Sequence, residues 1–186
     1  MKVKKTDLQS NLAMMIVLVS GTMLFMTLFM GYAIYRTSAT YWPPLGIPKI
    51  GLAIPFISTL VIIASSWFAY QVKILVKLGL FEKAHVQLNM TLVLGTTFLM
   101  TQSYLWYHMK STGVYVETSG IFGSVIYGFT WIHAVHMVLG LCALLYLKIV
   151  LKPNTVNFLQ KTINVEKFWH FLGVIWIIMF LTLFVL

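Results

Sequence analysis

Long apolar runs dominate this chain and leave few folds open to it. Five of them, at 12–35, 50–76, 86–108, 122–147 and 167–186, are long enough to cross a bilayer as helix, which takes about 20 residues at about 1.5 Å rise each. The acidic residues are Asp7, Glu82, Glu117 and Glu166, and all four are read as lying outside those runs. Charged residues make up 9% of the chain, against about 25% in a soluble domain. The chain therefore lacks the polar surface that dissolves in water. Within hydrocarbon every backbone N–H and C=O must be paired, and continuous apolar runs of this length do so as helices rather than as the short alternating strands of a barrel. The predicted fold is accordingly all-α, a polytopic bundle of five transmembrane helices. Its spacers are short, and 1–186 is read as a single membrane domain.

A formal net charge of +9 would suit a nucleic-acid partner, but its distribution argues against one. With the N-terminus inside, Lys2, Lys4, Lys5, Lys73, Lys77, Lys83, Lys148, Lys152, Lys161 and Lys167 fall on the cytoplasmic side, and Arg36, Lys49 and Lys110 on the other. Ten against three is the positive-inside bias, and for five spans it predicts N-in, C-out. The basic excess is thus topological, with attraction to anionic lipid as a secondary use. The first run is too long for a signal-peptide core and is read as a retained anchor. Cys142, the sole cysteine, allows no intrachain disulfide and is read as a small packing residue.

Local chemistry is sparse. Tyr41, Trp42, Pro43 and Pro44 after the first run suit an interfacial turn, since proline biases against helix and aromatic rings favour the membrane boundary. Ser58, Thr59, Ser65 and Ser66 in the second run are small hydroxylated residues that let helices approach closely. The third run ends in Gln102, Ser103, Tyr104, Trp106 and His108, and the fourth holds Gly123, Gly128, Gly140, His133 and His136. A bis-histidine haem needs imidazoles at equal depth on facing helices, yet His133 and His136 share one face and His85 with His170 would be a shallow pair. Two imidazoles are too few to close a metal site. Their expected use is hydrogen bonding between helices. No carboxylate is read inside a span, which argues against an ion-coupled transporter.

Several segments together resemble subunit III of the haem-copper oxidases. Trp131 to Gly140 carries an H-x-x-H-x-x-x-G pattern through His133, His136 and Gly140. Phe168-Trp169-His170-Phe171, followed by Trp176, is similar to the family's F/Y-W-H-F-x-D-x-x-W. Trp42-Pro43-Pro44-Leu45-Gly46-Ile47 resembles its W-P-P-x-G-I loop, with Ser65, Ser66 and Trp67 on the helix that follows. The candidate structural or lipid-cleft residues are therefore Trp42, Trp67, Gln102, His133, His136, Gly140, Trp169, His170, Gly173 and Trp176. Three acidic positions of the family are lost, at Gly21, Leu105 and Gly173. Restoring the acid at Gly173 is expected to hinder assembly, because no partner for it is evident.

The resemblance implies a non-catalytic subunit in a bacterial inner membrane, supporting assembly, stability and lipid organisation of an oxygen-reducing, proton-translocating complex. It implies catalytic subunit I and subunit II as partners, haem and copper on those partners rather than on this chain, and phospholipid in a cleft. An accessory subunit of a nitric oxide reductase shares the pattern, and a haem b membrane anchor is the more distant alternative.

Overall fold

The computed structural model describes residues 5–41, 51–116, 119–150 and 158–185. Trp42 and the proline loop lie outside them. The elements are α1 (Lys5–Ser38), α2 (Ala53–Lys77), α3 (Phe81–Ser111), α4 (Gly120–Val150) and α5 (Phe158–Phe180), the last running into a π-helical turn at Leu181–Val185. Among the described residues all regular structure is helical. Four of the helices are long and apolar enough to cross a membrane: α1 from Leu8, α2, α4, and α5 with its π turn. The third has the length but is more polar, with Glu82, Lys83, Gln87 and Asn89 in its opening turns.

Except at the start of α2, the helices overrun the apolar runs at their polar ends. The largest difference is at α5, which starts at Phe158 rather than at 167. Helical hydrogen bonding satisfies the backbone equally well in the interface, so polarity does not mark where the helix stops. As a result Glu166 lies two turns inside α5 and is buried, which corrects the expectation that all the acids stay outside the bundle.

The tightest connection joins α2 to α3. Gly79 sits at φ 73°, a left-handed conformation that glycine adopts at little cost. Its N–H bonds Val76 O at 3.1 Å, and the Leu80 N–H bonds Leu75 O at 2.9 Å. That is the Schellman pairing, which uses up two carbonyls of the last turn. The same device ends α3, where Gly113 at φ 88° precedes Val114, whose N–H bonds Met109 O at 3.0 Å. The Tyr127 hydroxyl then donates to Val114 O at 3.0 Å and ties α4 to this turn.

Packed between α2, α4 and α1, α5 is the central helix, and its Trp169, Leu172, Trp176 and Met179 are fully buried. By contrast, α1 is the outermost helix. It buries Gly21, Phe25 and Tyr32 along one stripe, Phe25 completely, and exposes apolar side chains around the rest of its circumference. Its far end is fixed by the Tyr32 hydroxyl, which donates to Thr182 O at 2.7 Å.

Candidate functional site

The polar face of α2 organises the interior. Ser58, Thr59 and Ser65 are all buried, and each receives a side chain from another helix. Gln102 of α3 donates through Nε2 to Ser58 Oγ at 3.0 Å, and Ser58 in turn donates to Thr101 Oγ1 at 2.8 Å. Trp176 of α5 donates through its indole N–H to Thr59 Oγ1 at 3.0 Å. Trp169, two turns away, donates to Ser65 Oγ at 3.2 Å, and Ser65 passes the bond to Thr91 O of α3 at 3.2 Å. Hydroxyls on a membrane helix serve here as acceptors for indole N–H groups that would otherwise be stranded.

Trp169 is held by shape as well. A Cβ built at Gly95 of α3 would fall 2.7 Å from its Cη2, and one at Gly140 of α4 would fall 2.9 Å from its Cζ3. The indole is therefore wedged between two glycine-bare helix faces, a place no larger residue could share. Gly140 was singled out from the sequence and Gly95 was not. A lone glycine in the middle of a long helix is the signal by which Gly95 could have been found, because such a residue usually has a packing reason.

His133 is buried among aromatic rings from three other helices. Its centroid lies 6.1 Å from Phe25, 5.9 Å from Phe98 and 5.6 Å from Trp176, and Phe98 meets Trp176 edge-on at 4.9 Å and 88°. His136 is only partly buried, 5.4 Å from Phe25, and its Nδ1 is 2.7 Å from Ile132 O of its own helix. Among the described residues the expected interhelical hydrogen bonds are thus not made. His136 turns back on its own backbone, and among the described residues neither nitrogen of His133 has a hydrogen-bond partner. The physical reason is that the facing residues of α1, α3 and α5 are rings rather than hydroxyls.

His170 belongs to a separate cluster near the α2–α3 turn. Its Nε2 is 3.2 Å from Glu166 Oε1, which also meets Lys73 Nζ of α2 at 2.6 Å. Sequence reasoning missed Glu166 and Lys73 because it placed both outside the helices' packed interior. Gly173 is buried next to Ser66, whose Oγ would lie 3.1 Å from a Cβ there. A carboxylate at 173 would thus find a hydroxyl beside it, with His170 lining the same cavity of about 200 Å³. This corrects the view that such an acid has no partner. Trp67 does not join the site. It is exposed on the outer face of α2 and touches Phe68 edge-on at 5.1 Å. The structure therefore gathers Gln102, His133, Gly140, Trp169 and Trp176 in the interior, with Gly173 and His136 at its margins.

A bundle of long apolar helices around a buried tryptophan and hydroxyl seam defines a multi-pass membrane protein whose interior is built for helix packing. The family model for cytochrome c oxidase subunit III matches residues 3–186. The chain is 29% identical over 176 residues to a cytochrome c oxidase subunit 3 of a Synechocystis strain, covering 91% of this chain and 72% of that one. It is 30% identical over 181 residues to that of Thermostichus vulcanus, covering 94% and 86%, and 26% identical over 167 residues to that of Bacillus subtilis, covering 89% and 80%. The chain belongs to the cytochrome c oxidase subunit III family.

Proposed function

We propose that this chain is the subunit III of a bacterial haem-copper oxidase, a subunit without a redox centre of its own that stabilises the complex and organises lipid around it. The family match along nearly the whole chain carries this reading. The relatives described above are oxidase subunits by name, which favours an oxidase over a nitric oxide reductase. Its partners are the catalytic subunit I and subunit II, which hold the haem and copper. The interior supports a structural role, because Ser58, Thr59 and Ser65 join α2 to the side chains of α3 and α5.

All five helices span the inner membrane, with the N-terminus cytoplasmic and the C-terminus periplasmic. The polar side chains that set α3 apart include Thr91 and Gln102, which face inward and are buried, so they do not oppose a membrane-spanning position. Phospholipid occupies the groove of about 550 Å³ between α1 and α4, lined by Leu28, Gly31, Tyr32, Val125, Gly128 and Phe129 among others. A Cβ at Gly31 or Gly128 would meet nothing within 4 Å. These glycines therefore keep a space open rather than bring two helices of this chain together.

The test is deletion of the chain, purification of the remaining complex and measurement of oxygen consumption through turnover. Haem per catalytic subunit is expected to persist while activity decays faster than in the intact complex. Loss of a stoichiometric haem from the spectrum would overturn the reading.

A further inference from the structure

Three polar atoms at the centre of the bundle are buried and, among the described residues, unpartnered: Nδ1 and Nε2 of His133 and Oε1 of Gln102. They belong to one layer. Phe98 lies one turn before Gln102 on the same face of α3, and its ring is 5.9 Å from the imidazole of His133. Trp106 lies one turn after Gln102, and its indole N–H donates at 3.0 Å to Thr130, which precedes His133 by one turn on α4. Gln102 therefore sits between two of the rungs by which α3 and α4 meet. From the other side, Gln102 and Trp176 bond to consecutive residues of α2, Ser58 and Thr59, and Trp176 lies 5.6 Å from His133.

The chemistry of the orphans decides what could serve them. A neutral imidazole has one donor nitrogen and one acceptor nitrogen. The π faces of Phe25, Phe98 or Trp176 can accept weakly from the donor, but the phenyl rings have no N–H to give and the Trp176 N–H is already given to Thr59. Turning the Gln102 amide over does not help, since its other end would then be left over. A small molecule with two hydrogens to give and lone pairs to receive would satisfy both side chains.

We propose that an internal water bridges His133 and Gln102, donating one hydrogen to the imidazole and one to Oε1, so that α3 and α4 are joined by a hydrated link at mid-bundle. Buried waters of this kind typically make two to four such bonds and belong to the fold. The site would take water or another molecule of that size able to donate twice.

A double-substitution cycle on the full chain in its purified complex tests this. His133→Phe keeps a planar ring in the aromatic box and removes both nitrogens, and Gln102→Leu removes the amide. If water links them, each single change lowers the thermal midpoint. The double variant then falls by less than the sum, because both singles lose the same molecule. A midpoint that rises or stays unchanged in His133→Phe means a dry, uncompensated imidazole, and additive shifts mean two unconnected sites. Either result overturns the proposal. Should a variant fail to assemble, nitrogen NMR of the wild-type complex with labelled histidine reads the same point. A buried imidazole signal showing transfer from water protons supports the bridge, and a buried imidazole without such transfer refutes it.

Discussion

Trp169 shows how single residues set the packing. Its indole needs Gly95 on one side, Gly140 on the other and Ser65 at its N–H. Gly95→Ala places a methyl carbon 2.7 Å from a ring atom and 2.8 Å from Leu141 Cδ2, a contact that must be relieved by moving a fully buried ring. Overpacking of this kind costs about 1–3 kcal/mol, and a lower thermal midpoint of the purified protein is the expected readout. Gly31→Ala, where a Cβ meets nothing within 4 Å, is the matched control and should leave the midpoint within error. A Gly95→Ala variant as stable as the control would mean that the ring is not wedged there. His133 teaches the opposite lesson, for its burial was expected and its partners were not. Which groups face a histidine depends on the other helices, here on Phe25, Phe98 and Trp176.

Between elements, the ion cluster of α2 and α5 is the clearest example. Glu166 is buried, while Lys73 is 21% exposed at its side chain and His170 37%. Removing only the cation leaves a buried carboxylate without its closest partner, and breaking such a pair costs about 3–5 kcal/mol when fully buried. Lys73→Met is expected to fall at or below the lower end of that range, because part of the cluster reaches solvent. Glu166→Met paired with Lys73→Met should recover much of the loss, since two apolar side chains of similar volume replace the pair without desolvating a charge. Thermal midpoints of the two single variants and the double variant check this, and a double variant worse than both singles would contradict it. At the outer edge, α1 is attached through Phe25 and the Tyr32 hydroxyl. Tyr32→Phe should therefore loosen its end by about 1 kcal/mol, seen as faster hydrogen exchange in α1 than in α5.

At the scale of the molecule, the proposed orientation and the proposed lipid groove rest on features that no single helix carries. On the proposed topology the basic residues divide ten to three between the two sides, so a reporter active only in the periplasm should give signal when fused after Leu186 and stay silent in the α2–α3 turn. The reverse pattern would invert the topology. Filling the α1–α4 groove with Gly31→Leu and Gly128→Leu should cut the phospholipid that copurifies, measured by native mass spectrometry, while helix content by circular dichroism is unchanged. Undiminished lipid in that variant would place the lipid elsewhere.

Long continuous apolar runs and 9% charged residues together called for a membrane-embedded helical bundle, because a helix satisfies its backbone within each such run. The family resemblance picked out Gly140, Trp169, Gly173 and Trp176, and spacings of four and three put the last three on one helix face. Helix ends were less legible. Phe158 to Glu166 is polar enough to read as a loop, yet it is helical because Thr162, Asn164 and Glu166 find partners or burial against the rest of the bundle. Asn164, for example, donates to Ser10 Oγ of α1 at 2.8 Å. Tertiary structure alone decided that Gly95 and Gly140 clasp one indole, that Glu166 is an interior residue, and that His133 and Gln102 share a layer. Each of these depends on which helix lies opposite which. That is set by the packing of side chains far apart in the chain, to which local periodicity is blind.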